Sequence, residues 1–494
     1  MKSIPSKLKN WALQPFIKQL QKQLPEAEIF LVGGAVRDIL LKRETKDFDL
    51  VVRNVSKPKL EKTLAKLGKV NLVGKKFGVF KFTPRGWQDS EIDIALPRTE
   101  HSINLSGVYK DFKINSNAKL KIDDDLSRRD FTINAIAFDL KKQTLVDPFN
   151  GLKDLDKKII KAVGNPVKRF QEDYSRMLRA IRFACQLNQT TGQANFTIEQ
   201  QTWSAVKAKI KNLTKKVNDK PTVAYEIIAK ELNKAVTSSP TRAIKLLDES
   251  GALKVLIPEL LKMKGCPQPK VWHSEGDCWL HTMMVVKNLN EPKFKKEFKN
   301  QTLTPELIWA AIFHDLGKPY TIKHTDRIRF NNHDNISAKK WREIAGRLKL
   351  TSAGLDVERV EKIIAKHMLP ATSKSSHMKD VTIEKYFFKT DFPGTELMML
   401  IFADISATIP QKTKRPDYTE YQKLKKRIAD LRKKTGRQNT LPKPLVNGND
   451  LIKDLRLKSG PEIGKLLILA REAQLSGKIK TKAQALALLK NFKT

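Results

Sequence analysis

Asp47 and Asp49 stand two residues apart in the apolar run "KDFDLVV". On a β-strand that spacing puts both carboxylates on one face, where two hard oxygen ligands suit a pair of Mg2+ ions. Paired ions of this kind activate an attacking oxygen and stabilise the leaving one. Aspartate is otherwise unwelcome in a strand, because its β-propensity is low and burying its charge is costly. Asp93, in "EIDIALPRTE", offers a third ligand from a neighbouring strand, with Glu91 on the same face. Gly33 and Gly34 precede a helical stretch that begins near Ala35. Amides at such a turn point at anions, and the missing side chains let a triphosphate approach. Arg37, one turn into the helix, can clamp phosphate. A glycine pair is usually only a turn, and a spaced aspartate pair is usually solvated. Their concurrence in one strand–turn–helix–strand unit is what points to phosphoryl transfer.

Two later stretches extend this chemistry. In "DDDLSRRDFTINAIAFDL", Arg128 and Arg129 can bind a triphosphate, with Asp130 and Asn134 on the sugar or holding the loop; the bland alternative is a surface charge cluster. "VDPFNG", Asp147 to Gly151, reads as a structural turn. In "EDYSRMLRAIRFA", the spacing predicts Asp173 and Arg176 at i, i+3 on one helix face. A carboxylate accepts from an exocyclic amine, and a guanidinium donates to a ring nitrogen or carbonyl. Cytosine and adenine both fit that pair, whereas uracil and guanine present a carbonyl and a ring N–H. A buried mismatch costs more than a made hydrogen bond gains. One protein pocket can then admit CTP and ATP without a template. Taken alone, the same pair is an ion pair on a solvated helix.

A separate constellation lies further on. His281 falls in the apolar stretch "CWLHTMMVV", His314-Asp315 ends the apolar stretch at the start of "AAIFHDLGK", and Asp404 sits in "LMMLIFADISAT". Imidazole nitrogens with carboxylate oxygens suit a divalent transition metal. His333 and His367 could extend the set, and His273 less directly. Cys266, His273, Cys278 and His281 offer a zinc alternative, but their spacing is irregular for a structural site.

The elements that must carry these residues follow from patterning. Residues 29–33 and 48–52 predict short buried strands flanking the helical "GAVRDILLK", with further strands at 79–82, 92–96, 131–138 and 144–146. The expected fold class is α+β: a mixed head over 1–165, an all-α neck and body over 166–264, a helical domain over 265–410 opened by "GCPQPK", and a basic linker and helical tail over 411–494. The formal net charge is 94 − 53 = +41, an excess that attracts polyanions, nucleic acid foremost. Three cysteines are too few for a disulfide framework, no uncharged run is long enough for a bilayer, and the N-terminus lacks a leader pattern. The expectation is a soluble cytoplasmic protein with no membrane partner; the sequence leaves oligomeric state open.

"LVGGAVRDILL", "KDFDLVV", "RRDFTINAIAFD", "DPFNGLKDL" and "EDYSRMLRAIRFA", in that order over residues 29–187, resemble the motifs of class II tRNA nucleotidyltransferases, the CCA-adding enzymes, and of the related bacterial poly(A) polymerases. "ALPRTE" at 95–100 is similar to the segment ahead of that family's flexible loop. The resemblance implies a polymerase-β-like nucleotidyltransferase head, tRNA, ATP and CTP as partners, and Mg2+ at Asp47 and Asp49. It assigns nucleotide contacts to Gly33, Gly34, Arg37, Arg128, Arg129, Asp130, Asn134, Glu172, Asp173, Arg176 and Arg179. Tyr174 replaces the family's usual proline after "ED". The order H…HD…D, with "HDLGK", resembles the HD-type metal phosphohydrolases, which implies His281, His314, Asp315 and Asp404 as ligands and action on cyclic or terminal phosphates. "SGPEIG" in the tail and the basic stretch 421–434 are expected to contact RNA backbone. Enzymes that add only A, only CC, or poly(A) share nearly every motif. An HD phosphohydrolase with an RNA-binding head, or a non-catalytic RNA-binding protein, are readings from other classes.

Overall fold

Runs of β-branched and aromatic residues make the strands of the N-terminal region in the computed structural model, which describes residues 4–45, 47–73, 79–87, 91–102, 112–187, 195–372, 378–434 and 441–492. The strands are β1 (Glu28–Val32), β2 (Phe48–Arg53), β3 (Gly68–Val73), β4 (Val79–Pro84), β5 (Ile92–Ala95), β6 (Arg98–Ser102), β7 (Phe112–Ser116), β8 (Ala137–Asp139) and β9 (Thr144–Val146). Seven form one mixed sheet of order β3-β4-β5-β2-β1-β8-β9, and β6 pairs with β7 as a separate antiparallel ribbon. β2 and β5 are parallel, and their register sets Asp49 beside Asp93. β1 runs antiparallel to β2 and sets Val32 opposite Asp49. The turn at Gly33 therefore emerges beside the carboxylate strand.

Both sheet faces are covered, which explains why β1 and β2 read as near-continuous apolar runs. On one face Leu31, Leu50, Phe80 and Ile94 pack under Ile17 and Leu20 of the helix Pro15–Gln23 and Leu60 and Leu64 of the helix Lys57–Leu67. On the other, Val32, Val51 and Ala137 meet Ile122, Leu126 and Val163. Strand alternation puts Asp49 on this second face, at the end of its smaller apolar cluster.

The expected strand over 131–138 is corrected. Residues Thr132–Asn134 form a 3-10 turn, and only Ala137–Asp139 are strand. Thr132 and Asn134 are buried polar residues whose side chains need partners. The bend supplies them, since Thr132 Oγ1 donates to Asp154 and Asn134 reaches Asp130 and Arg37. The strands β3, β6 and β7 carried no sequence expectation, polar residues interrupting the apolar pattern of each. Asp147 behaves as the expected turn residue, its carboxylate accepting the Gly151 and Leu152 N–H groups.

The described residues fall into two compact units, Met1–Leu256 and Ile257–Thr494. The first unit continues beyond the sheet with helices that include Pro166–Glu172, Ser175–Gln186 and Tyr225–Ser238. The second is mostly helical. Its helices Cys278–Asn288, Pro305–Phe313, His333–Arg347, Val357–Ile364 and Gly394–Ala407 surround the histidines, and Gly448–Leu455, Pro461–Leu475 and Lys482–Lys490 form the tail around Leu451, Leu466 and Leu489. The tail is latched inside this unit by Arg471, which donates to Glu384, and by Glu472, whose two oxygens accept the Asp380 and Val381 N–H groups at 2.9 Å. No described helix is long and apolar enough to cross a membrane.

Glu472 thus caps the helix Asp380–Phe387 from outside it. Glu472→Ala should cost the second unit about 1–2 kcal/mol in chemical denaturation. It should also speed amide exchange at Asp380 and Val381; unchanged protection there would show that the latch carries no stability.

Candidate functional site

A cleft of about 650 Å3 in the first unit is lined by Gly34, Arg37, Asp47, Asp49, Arg128, Arg129, Asp130, Asn134, Asp173, Arg176 and Arg179, together with residues the sequence reading missed. One concavity therefore collects most of the residues singled out from four separate stretches. Asp47 immediately precedes β2, and Asp49 is its second residue. Burial pushes the Asp49 carboxyl up, Arg129 opposes that, and the charges of Asp93, Asp47 and Asp125 add to it. Such a crowd of like charges favours a bound cation. The hard oxygen donors Asp47 and Asp49 fit Mg2+. Asp93 adjoins Asp49 in register, but its carboxylate lies 3.9 Å from Lys81 Nζ and is not part of the described cleft wall. Glu91 likewise pairs with Lys81, at 3.1 Å.

Gly33 does not line the cleft; it makes room behind it. Its φ of 73° is open to glycine, and a Cβ there would collide with the Arg129 guanidinium and lie 3.7 Å from Asp49 Oδ2. Arg129 is held from the far side by Asp125, which is fully buried and also accepts from Arg128. Arg37 spends two N–H groups on Asp38 and one, at 2.6 Å, on Asn134 Oδ1. Asn134 donates at 2.8 Å to Asp130, which also accepts from the Phe131 N–H and from Arg179. Burial would raise the Asp130 carboxyl, but the Arg179 charge and the hydrogen bonds from Asn134 and Arg179 hold it far below the usual carboxylate range. The network continues through Glu231, which pairs with Arg182 at 2.5 Å and lies 3.7 Å from Arg179. The guanidiniums of Arg37, Arg179 and Arg182 stand 4.9, 5.5 and 4.0 Å from the Phe183 ring centroid.

The expected i, i+3 helix face is corrected. Asp173 is extended, at φ −151° and ψ 105°, between the helices Pro166–Glu172 and Ser175–Gln186. Its Oδ1 accepts the Ser175 N–H at 2.9 Å. Asparagine, serine and aspartate favour such cap positions over helix interiors, so the helix restarts after Asp173. Both side chains still line the cleft. Arg176 donates to Glu172 at 2.7 Å and to the carbonyls of Arg169 and Arg128, which engages three of its five N–H groups. Glu172 therefore holds Arg176 rather than lining the cleft. Signals for Asp38 and Asp125 existed in "RD" and "DDD" beside the arginines. Glu231 had none, lying 49 residues from Arg182.

The second unit brings its histidines together as well. Three overlapping groups have ligand atoms within 4.8 Å of one another: His273, Glu275 and His281; His281, His314 and Asp315; and Asp315, His333 and His367. Asp404 joins through Oδ1, 2.9 Å from His281 Nε2 and 3.9 Å from His314 Nε2. Asp315 divides its oxygens. Oδ2 lies 3.3 Å from His314 and 3.7 Å from His281, and Oδ1 lies 3.3 Å from His333 and 3.7 Å from His367. The Nδ1 atoms of His314, His333 and His367 each face a backbone carbonyl, of Ala311, Phe330 and Ile364, at 2.9, 2.8 and 2.7 Å. That assigns the proton to Nδ1 and turns the Nε2 lone pairs inward. Lone pairs then meet lone pairs and carboxylates, as in the 3.3 Å approach of His333 Nε2 to His367 Nε2, and His314 Nε2 is buried without a hydrogen bond. Such an arrangement calls for a cation. A proton on His281 is one answer: burial disfavours it, but Asp404 and Glu275 outweigh burial and raise that imidazole to about 9. A divalent metal is the other, and the nitrogen-rich donor set fits it. The two cysteines of the zinc alternative, Cys266 and Cys278, join none of the described groups.

Glu275 escaped the sequence reading. Its Oε1 accepts from Nδ1 of both His273 and His281, at 2.6 and 2.8 Å, and its Oε2 accepts the Ile409 N–H at 3.1 Å. It thereby fixes the His281 tautomer and ties it to the chain leaving the helix that carries Asp404. Gly317 of "HDLGK" has a packing reason, since a Cβ there would collide with the His333 carbonyl and press on Ser337.

Gly33→Ala should lower nucleotide incorporation at least tenfold by displacing Arg129, while costing only about 1–2 kcal/mol of stability; normal turnover would show that the close approach is unimportant. Glu275→Ala should weaken metal uptake about ten- to hundredfold, read as metal content after dialysis against a chelator; retention equal to the unaltered protein would deny it a positioning role.

Protein-family models match three segments of the chain: the poly A polymerase head domain at residues 29–161, a probable RNA and SrmB-binding site of polymerase A at 195–263, and the HD domain at 281–431. A multifunctional CCA protein from Shewanella frigidimarina is 33% identical over 384 residues, covering 76% of this chain and 83% of that one. One from Dechloromonas aromatica is 31% identical over 366 residues, covering 74% and 79%. Among solved structures, a Thermotoga maritima CCA-adding enzyme complexed with tRNA aligns with a TM-score of 0.59 at 20% identity, over 99% of both chains. A CCA-adding enzyme in an apo form aligns at 0.62 and 20% identity, over 98% of this chain and 97% of that one. At such identity these likenesses speak for the α+β fold alone. With a relative above 30% identity that is spanned over most of its length, this chain belongs to the family of the multifunctional CCA proteins.

Proposed function

We propose that this chain adds C, C and A in turn to the 3′ end of tRNA, from CTP and ATP, without a nucleic-acid template. The observation that carries the reading is the single cleft holding Asp47 and Asp49 together with Arg128, Arg129, Asp173 and Arg176. Asp47 and Asp49 would hold Mg2+, which when bound lowers the barrier to in-line attack on the α-phosphate and to pyrophosphate departure. Arg37, Arg128 and Arg129 would clamp the triphosphate beside the Gly33-Gly34 turn, with Asp130, Asn134 and Arg179 bracing them and the ribose. Asp173 would accept from the base amine. Arg176, held in place by Glu172, would donate one of its remaining N–H groups to the ring nitrogen. Asp93 would act on the charge at Asp49 from outside the cleft.

The second unit is proposed to act as a metal-dependent phosphodiesterase or phosphatase on cyclic or terminal phosphates. Its Asp315 supports a two-ion arrangement, one set formed by His281, His314 and Asp404 and the other by His333 and His367, each meeting a different Asp315 oxygen. The four-part division at 165, 264 and 410, RNA contact by the tail and the basic helix, and a cytoplasmic setting in which all three cysteines stay reduced complete the proposal.

Supplying tRNAs that lack the last three, two or one nucleotides with single nucleotides separates the candidates. The reading expects CMP, CMP and AMP in that order. Incorporation of AMP only, onto an end already carrying CC, would make the chain an A-adding or poly(A) enzyme. No incorporation, with phosphohydrolysis surviving Asp47→Ala plus Asp49→Ala, would leave an HD phosphohydrolase with an RNA-binding head. Asp173→Asn should cost about tenfold to a hundredfold in discrimination of CTP over UTP.

A further inference from the structure

We infer that the second unit carries a docking cleft for an unpaired stretch of RNA, between the end of the helix Pro292–Glu297 with the residues that follow it and the helix Thr419–Arg432. The inference rests on the reading that the chain acts on tRNA. The cleft, of about 630 Å3, is distinct from the histidine cluster, none of whose residues lines it.

Its floor is apolar and partly aromatic: Phe298, Phe387, Met398 and Ile428. Phe298 is fixed from behind by an edge-on contact with Phe402, with ring centroids 5.6 Å apart. The rim is cationic: Lys296, Lys299, Lys425, Arg432 and Lys433, with the amides of Asn300 and Gln301 between them. Glu297 is the one carboxylate among the described lining residues, and it is already engaged, accepting from Tyr421 Oη at 2.6 Å and pairing with Lys425. Lys433 pairs with Asp430 at 3.1 Å. Lys296 and Lys299 are exposed and have no ion-pair partner among the described residues.

A cationic rim over an aromatic floor matches one chemistry well. Phosphates are met by the lysines, and a base face lies on a ring whatever the base is. A duplex cannot offer that face, because its bases are stacked on one another. A peptide of acidic residues alone would satisfy the rim and leave the floor without a partner. The excess of positive charge on the whole chain agrees with a polyanion.

The test uses the full chain, a labelled single-stranded hexaribonucleotide, and the variants Lys296→Glu plus Lys299→Glu and Phe387→Ala. Losing two phosphate contacts should raise Kd at least tenfold and reduce the slope of log affinity against log salt by about 1.4. Phe387→Ala should raise Kd roughly tenfold with the slope unchanged. The lysine pair is exposed, so its melting temperature should stay that of the unaltered protein. Affinity and slope unchanged in the lysine variant would overturn the cleft. So would competition by duplex RNA or polyglutamate equal to that of single-stranded RNA. Incorporation onto tRNA by the unaltered protein is the control. Its absence would sink the reading of the chain as a tRNA enzyme, whereas incorporation alongside variant-insensitive hexamer binding would sink only the cleft.

Discussion

Asp130 is the carboxylate on which the cleft of the first unit depends. It is 8% exposed and accepts from Phe131, Asn134 and Arg179, and through Asn134 it also sets Arg37. A buried ion pair contributes little net stability, because desolvation offsets its attraction, yet removing one partner costs about 3–5 kcal/mol. Its value here lies in geometry. Asp130 joins the loop before β8 to the helix Ser175–Gln186, and so fixes Arg37 and Arg179 in one frame. Glu231 extends the same frame to the helix Tyr225–Ser238. Arginines packed this closely repel one another, and Asp130, Asp125, Asp38 and Glu231 are the charges that let them converge.

The second unit solves the opposite problem. Its four inward imidazoles and two carboxylates call for positive charge among them, a proton on His281 or a bound cation. Backbone carbonyls and Glu275 decide the tautomers before any ion arrives, so the donor atoms are set by the fold. Lys318, buried and 2.7 Å from Asp315 Oδ2, neutralises part of the remaining charge.

Much of this was legible in the sequence, for identifiable reasons. Asp47 and Asp49 were readable because strand period is two and the flanking residues are apolar. Gly33 was readable because its neighbours switch from strand to helix. His314-Asp315 and Asp404 stood out as polar residues at the end of one apolar helix and inside another. Residue 173 was misplaced because periodicity runs smoothly through "EDYSRMLRAIRFA", while the helix break depends on a single side chain capping Ser175. The 131–138 strand failed for a related reason: apolar alternation cannot reveal that Thr132 and Asn134 must find partners off the sheet. Glu275 and Glu231 were invisible because each acts on residues brought close only by folding. Glu231 belongs to a helix far along the chain, and Glu275 to a loop whose role appears only when Ile409 closes on it.

The central claim is that the paired carboxylates at the start of β2 grip Mg2+ against an incoming nucleotide whose base faces Asp173 and Arg176. A structure determined with CTP and Mg2+ tests it most directly. The account predicts density for the ion between Asp47 and Asp49, the triphosphate along Arg128 and Arg129, and the cytosine amine within hydrogen-bond distance of Asp173. Carboxylates turned apart with no ion between them, or a triphosphate bound away from the Gly33-Gly34 turn, would contradict it.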